Sequence, residues 1–340
     1  MFKPSYQLTP ALLANLIAIE RLYGQLESLQ IPQKLELNLE RDNLVRSSYI
    51  SNSIEGNPLS LPEVTNLLLE NRVPSNRDEK EIRNYFDILK SLSQYVQTPF
   101  SIHTIQEMHA RLMLGTDDAI AGIIRNKRVV VGGYIKKKGI PKLKVKHDPP
   151  FHTRSKIQRA LQEMIVWNEK DGTIPAVLKA GIFHHQYVYI HPFEDGNGRT
   201  CRLLTALFLL KSNYQINKYF VLDDFYDINR FTYSDKLNTA DKGDATEWLK
   251  YFTDGMKYSL QSALSRANAA LKSVNVEERP TSRELEVYQF LQRQVQATST
   301  DVADAFGFSR QQAHKLLSGL VDKGFVQKKG GTKSNYYFLR

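Results

Sequence analysis

The 340-residue chain carries 46 lysines and arginines against 36 aspartates and glutamates, a net charge of +10 at pH 7, and 41% apolar residues. That length admits two or three domains, and the composition is that of a folded soluble protein. The single cysteine, Cys201, excludes an intramolecular disulfide and fits a reducing compartment. The longest apolar run, "LLTALFLL" from Leu203, is too short to cross a bilayer, and the N-terminus lacks a secretory pattern, so a cytoplasmic protein with no membrane partner is expected. The positive charge suits a polyanionic partner without selecting one.

Most of the chain reads as helix. "ALLANLIAIERLYGQLESL" repeats apolar residues at helical spacing, with Thr9 as cap and Pro10 in the first turn. "LERDNLVRSSYISNSIEGNP" predicts a second helix, stopped by Gly56, Asn57 and Pro58. Ser60, Pro62 and Glu63 restart helix with a capping box. Further helices are predicted over Lys80–Tyr95, Ile102–Leu114, Ser155–Asn168, Ile174–Ile190 and Glu247–Lys272.

"GIIRNKRVVVGG", Gly122 to Gly133, breaks the helical pattern. Two β-rich runs around Asn126-Lys127 predict a hairpin, either structural or an exposed flap able to pair with a bound peptide. "KSVNVEERP", Lys272 to Pro280, loses apolar periodicity and reads as a linker.

The densest chemistry lies in "IHPFEDGNGRTCRLL", from Ile190. Gly196 and Gly198 bracket Asn197, so the chain can turn its N–H groups inward with no Cβ in the way. A helix starting there points unpaired N–H groups and a positive dipole end at a ligand. Arg199 and Arg202, three apart, share a helix face, and two guanidiniums beside an amide-lined bend suit a polyphosphate. Asp195 can hold a hard cation such as Mg2+ bridged to phosphate, and His191 can take a proton from a nucleophile.

"HPFEDGNGRTCR" resembles the motif of the Fic family, His-Pro-Phe-x-Asp/Glu-Gly-Asn-Gly-Arg-x-x-Arg, at every fixed position, with Cys201 on a variable one. "AGIFHHQYVYIHPF", including His184, resembles the preceding helix; "GIIRNKRVVVGG" resembles the family's flap, and "NRFTYSDKLNTADKGD" its nucleotide-site segment. The resemblance covers roughly Gln33 to Leu264. It implies transfer of AMP from ATP to a Ser, Thr or Tyr hydroxyl of a target protein, with His191 as base and Asp195 as the magnesium ligand. It further implies that the Gly196–Arg199 backbone (Gly196, Asn197, Gly198, Arg199) and the Asn197 side chain stabilise phosphate charge, and that Arg202 holds the γ-phosphate. Val131, Gly132, Gly133 and Tyr233 become adenosine contacts; Asp241 stands where relatives carry asparagine. Phe193 packs beneath the loop, and the flap Gly122–Gly133 becomes the docking edge for the target.

"SNSIEG" resembles the family's inhibitory motif, Ser/Thr-x-x-x-Glu-Gly/Asn. Ser51 and Glu55 share a helix face, and Gly56 ends the helix so that Glu55 projects. A carboxylate reaching Arg202 would occupy the guanidinium that should hold the γ-phosphate. The resemblance thus implies an autoinhibited enzyme; release through a change of oligomeric state, a homodimer included, is a further expectation.

Thr281 to Arg340 reads as three helices and a hairpin, which resembles a winged helix-turn-helix. The segment has nine basic and five acidic residues, a net charge of +4. Ser309 caps the recognition helix and leaves Arg310, Gln311, Gln312 and Lys315 on its open side, with Lys328, Lys329 and Lys333 on the wing. DNA binding and protein interaction are both open for it.

The expected architecture is therefore mainly α: an N-terminal helical region (1–100) carrying the inhibitory motif, a Fic-type catalytic core with a β-hairpin flap (101–271), a linker (272–280) and a winged helix-turn-helix domain (281–340). Two alternatives stand beside AMP transfer. The same site could remove AMP or transfer another phosphate-containing group, or the chain could be a DNA-binding regulator with a nucleotide-sensing domain.

Overall fold

The computed structural model describes the chain except residues 1, 138–139, 171, 217, 274–279, 293, 295, 332–333 and 340. Side chains are likewise not described at 34, 133–144, 170, 273, 292, 331 and 334. Most of the expected linker therefore lies outside the described residues. The chain divides into two compact units, residues 1–27 with 42–263 and residues 28–41 with 264–340, which the sequential boundaries at 100, 271 and 280 do not anticipate.

The first unit is built of helices. Helix α1 (Pro10–Glu27) buries Leu12, Leu16, Ile19 and Tyr23, and the Thr9 hydroxyl accepts from Leu12 N at 3.2 Å. Helix α2 runs Gln33–Ile54 and ends where Gly56 adopts φ +94°, a conformation costly for any residue with a Cβ. Helix α3 (Leu61–Leu69) starts at Ser60, whose N and Oγ both donate to the Glu63 carboxylate, at 2.8 and 2.6 Å. Helix α4 (Arg77–Lys90) stops at Ser91, whose hydroxyl donates to the carbonyls of Asp87 and Ile88, and the chain tightens into a 3-10 turn over Leu92–Tyr95. The single helix expected over 80–95 is thus two pieces, because Ser91 bonds back to the preceding turn.

Helices α5 (Ile102–Met113), α6 (Arg154–Lys170), α7 (Ala176–Ile190) and α8 (Asn197–Lys211) follow, with α7 beginning after Pro175 rather than at Ile174. Helix α7 is buried along most of its length, so it shows no apolar stripe. Short helices α9 (Asp223–Ile228) and α10 (Arg230–Ala240), which the apolar pattern does not reveal, precede the long α11 (Thr246–Ser273).

The hairpin is displaced from its expected place. Strands β1 (Val131–Lys137) and β2 (Ile140–His147) pair antiparallel, Val131 opposite His147, with an irregularity between Val131 and Gly132. Residues 123–130 form no strand, because their backbone is committed elsewhere: Arg125 N donates to Pro192 O, and Ile123 N to Ile120 O. Of their β-branched residues only Ile124 is buried, while Ile123 and Val130 are exposed.

In the second unit, α12 (Ser282–Gln292), α13 (Ser299–Phe306) and α14 (Arg310–Asp322) enclose a core of Val287, Leu291, Val302, Ala313, Leu317 and Leu320. Strands β3 (Gln327–Gly331) and β4 (Ser334–Phe338) form the antiparallel wing, and Ser309 accepts from Gln312 N at 3.2 Å as the cap of α14. This is a winged helix-turn-helix.

Gly181 marks a tight apolar seam in the helical unit. A Cβ there would lie 2.7 Å from Leu249 Cδ2 and 3.1 Å from Phe252 Cδ1, both residues fully buried. Gly181→Ala gains helix propensity but overpacks this seam, and urea denaturation is expected to show a net loss of about 1–2 kcal/mol.

Candidate active site

His191 is the C-cap of α7, in the left-handed region at φ +51°. Such a conformation is uncommon outside glycine and must be held by its surroundings. Arg125, 1% exposed, does so: its Nε donates to His191 O at 2.7 Å, Nη2 to Ile190 O at 3.2 Å and Nη1 to Lys127 O at 2.6 Å. His109 holds the loop from below. It stacks on Phe193 at 3.6 Å, accepts from Gly122 N at Nδ1 (2.9 Å), and its Nε2 donates to Asp195 O (3.0 Å). Gly122, φ +72°, is therefore the anchored root of the flap segment and not a free edge. The pairing edge expected over Gly122–Gly133 is corrected to the 131–147 hairpin, where Val131 and Gly132 begin β1.

The glycine bend has the shape expected of it, and the Asn197 side chain is corrected. Gly196 caps α8 at φ +72°, and Phe193 is fully buried beneath. Asn197, however, spends its side chain on the loop: Oδ1 accepts from Phe193 N and Nδ2 donates to Phe193 O, both at 2.9 Å. Its side chain braces the bend, and the backbone N–H groups at the start of α8 are the donors left for an anion. Asp195 is 54% exposed; its Oδ1 accepts from Gly196 N at 2.7 Å, while Oδ2 has only distant guanidinium neighbours, Arg77 at 3.8 Å and Arg199 at 4.0 Å.

Both motif arginines are buried and each meets an acceptor from the N-terminal helices. Arg199 Nη1 contacts Glu81 Oε2 at 3.0 Å and Asn52 Oδ1 at 3.3 Å. Arg202 Nε donates to Ser51 Oγ at 2.7 Å, and its Nη2 to Ser51 O and Glu55 Oε1, each at 2.8 Å. The Arg202 side chain is 1% exposed, that of Glu55 39%. Burial pulls the guanidinium pKa down, but Glu55 and the buried Asp223 carboxylate outweigh it, so Arg202 stays charged. Its Nη1 is buried, has no hydrogen-bond partner among the described residues, and faces Gly198. A Cβ on Gly198 would lie 2.1 Å from Glu55 Oε1, so the glycine is what admits a carboxylate to the start of α8. Ser51 and Glu55 thus share a face as their spacing implied, and meet Arg202 as the resemblance implied; Glu81 and Asn52 had no such signal, standing in ordinary charged and polar helical contexts.

Two expected adenosine contacts are engaged otherwise. Tyr233 is buried, stacked on Tyr226 at 4.4 Å, and its hydroxyl bonds His184 Nε2 at 2.8 Å. Asp241 is gripped by His147 Nδ1 at 3.0 Å and His185 Nε2 at 2.9 Å, ties that hold its pKa low against the opposing effect of burial. His147 closes the hairpin with its ring 6.1 Å from His191. In the wing unit Arg310, Gln311 and Lys315 lie exposed on α14 and Gln312 partly so; Lys328 and Lys329 are exposed on β3, and Lys333 lies outside the described residues.

Burial depresses three histidines: His191 to about 4, aided by His147; His109 to about 4; and His184 to about 3. His191 is therefore neutral near pH 7, and with Nδ1 facing Val188 O at 3.3 Å its free base position is Nε2. Since the unfolded chain binds protons from about pH 6.5 downward, stability falls as pH drops through that window. Asp223, pushed up to about 6 by burial, opposes this as a single group. Urea denaturation is expected to show a net loss on the order of 4 kcal/mol between pH 7 and pH 5 from these groups.

Residues 99–209 match the Fic/DOC family model, and residues 281–340 that of the sugar-specific transcriptional regulator TrmB. The chain is 29% identical over 222 residues to protein adenylyltransferase fic-1 of Caenorhabditis elegans, covering 63% of this chain and 40% of that one. It is 30% identical over 219 residues to protein adenylyltransferase Fic of Drosophila erecta, covering 61% and 39%. The chain thus spans about two fifths of the length of these curated relatives. Among solved structures, a Fic family protein from Desulfovibrio desulfuricans G20 superposes with TM-score 0.66 at 21% identity, covering 100% of this chain and 98% of the other. Fic-1 (aa134 - 508) of C. elegans does so with TM-score 0.61 at 25% identity, covering 76% and 73%. Residues 99–209 of this chain form a domain of the Fic/DOC family.

Proposed function

We propose that this chain is an autoinhibited protein adenylyltransferase, moving AMP from ATP to a Ser, Thr or Tyr hydroxyl of a target protein. One observation carries the reading: a carboxylate, Glu55, already lies in an anion cradle made of the α8 N-terminus, Gly198 and the buried Arg202, a motif-length away from a neutral His191. What accepts a carboxylate there accepts a phosphate oxygen, and the unpartnered Arg202 Nη1 supplies a further donor.

In the reaction, His191 Nε2 takes the proton of the target hydroxyl as its oxygen bonds to the α-phosphorus. The bond from that phosphorus to the pyrophosphate oxygen breaks, and pyrophosphate leaves. The α8 N–H groups stabilise the equatorial oxygens, and Arg202 holds the terminal phosphate once Glu55 has withdrawn. The half-exposed Asp195 carboxylate fits Mg2+, which takes one or two carboxylates together with phosphate oxygens. Magnesium bound there would neutralise phosphate charge. With Glu55 on Arg202, the triphosphate is displaced from the in-line pose without being excluded.

Mass spectrometry after incubation with ATP and Mg2+ tests this. Glu55→Gly is expected to raise AMP incorporation, on the protein itself or on added target, at least tenfold, since removing the half-exposed carboxylate frees the buried guanidinium. Adding His191→Ala is expected to abolish it. Unchanged incorporation in Glu55→Gly would contradict the brake, and persistence in the double variant would contradict the base.

A second reading concerns the winged unit, because α14 exposes Arg310, Gln311 and Lys315 and the wing exposes Lys328 and Lys329. We propose that it contacts DNA phosphates, consistent with its match to a transcriptional regulator model. In the full chain, replacing Lys328 and Lys329 by alanine is expected to lower the salt dependence of duplex binding by about two counterions. An unaltered slope would assign the wing to another partner.

A further inference from the structure

The inhibitory turn is held at points outside the Ser51–Gly56 motif. Three contacts from residues 223–230 reach the C-terminal half of α2. Asp223 Oδ2 accepts from Ser47 Oγ at 3.1 Å, and Asp224 Oδ1 from Arg46 Nε at 2.7 Å. Arg230 donates through Nη1 to Ser53 O and through Nη2 to Ser53 Oγ, the latter at 2.8 Å. Asp227 fixes the Arg230 fork in turn, accepting from Nε at 2.9 Å and Nη2 at 2.7 Å. The first two contacts lie two turns before Glu55. Arg230 alone of the three reaches the last turn.

That turn is where a helix is weakest, since its final carbonyls have no partner within the helix. Ser53 O is one of them. It accepts from Gly56 N at 3.0 Å on the inner side and from Arg230 on the outer, so both lone pairs are used. Glu55 is two residues on, and its own N–H is tied to Asn52 O at 3.0 Å. Its side chain is 39% exposed, so it has little packing of its own to keep it on Arg202. The direction of the carboxylate therefore depends on the backbone turn that carries it. Arg230 is the first residue of α10 and is 42% exposed as a side chain, reachable from solvent and outside the cradle.

We propose that Arg230 is a positioning residue for inhibition: by capping Ser53 it holds the last turn of α2 in the geometry that lays Glu55 on Arg202. The inference rests on the reading of Glu55 as a brake. Loss of the Arg230 fork lets the turn fray, the carboxylate leaves the guanidinium, and the phosphate position opens. The clamp acts through Glu55 and not on the reacting atoms, so its effect disappears when Glu55 is absent.

Amide hydrogen exchange and AMP incorporation from ATP, both on the full chain, test it with Arg230→Ala, Arg230→Lys, Glu55→Gly and Glu55→Gly/Arg230→Ala. Arg230→Ala is expected to speed exchange over residues 51–57 roughly fivefold, the worth of one such hydrogen bond, while leaving the buried part of α8 protected. It is also expected to raise AMP incorporation toward the Glu55→Gly level, with Arg230→Lys in between and the double variant equal to Glu55→Gly. If Glu55→Gly is activated but Arg230→Ala changes neither readout, or changes exchange without activity, the clamp is overturned. If Glu55→Gly is not activated, the brake reading itself fails, and the clamp fails with it.

Discussion

A guanidinium that is 1% exposed must be matched by charge, and Arg202 organises the site around that demand. Burying an unpaired ion costs several kcal/mol, so an anion has to stand beside it in every state the protein occupies. Ser51 supplies two neutral acceptors, and Asp223 adds negative charge from within the core, but the open side is filled by Glu55. The requirement that makes Glu55 fit also makes a phosphate fit. On the proposed function, inhibition and substrate binding are two solutions to one electrostatic problem, and exchanging them leaves no buried charge uncompensated.

The geometry around that pair is set by backbone satisfaction more than by apolar packing. The chain from Ile190 to Gly196 folds back on itself, which leaves carbonyls and N–H groups that no helix or strand can pair. Arg125 takes the carbonyls of Ile190, His191 and Lys127; His109 takes the carbonyl of Asp195, and Asn197 bridges both backbone groups of Phe193. These side chains are polar, buried and fully employed. They keep the His191 ring and the α8 N-terminus in register, which is the pre-organisation that phosphoryl-type transfer relies on.

The glycine bend, the α2 end at Gly56 and the Ser309-capped α14 were legible because each is local: a glycine at a required bend, a four-residue spacing on one helix face, a serine before a helix. What was not legible is what depends on tertiary partners. The stretch Ile123–Val130 looks like strand, yet the Arg125 backbone binds Pro192 O, and the hairpin begins only at Val131, ending at His147. Tyr233 and Asp241 lie on the segment where a nucleotide contact was expected, but His184, His147 and His185 claim their polar atoms. Glu81 and Arg230 look like ordinary surface charges until the fold brings them to Arg199 and Ser53. Residues 28–41 group with the C-terminal unit, a long-range association that no periodicity encodes.

On the proposed function, Glu55 and the terminal phosphate of ATP compete for Arg202. Titration calorimetry with ATP and with AMP, on wild type and Glu55→Gly, addresses it directly, because AMP has no phosphate to reach that guanidinium. Competition predicts that Glu55→Gly tightens ATP binding while AMP affinity is unchanged. Equal shifts for both nucleotides, or none for ATP, would contradict it.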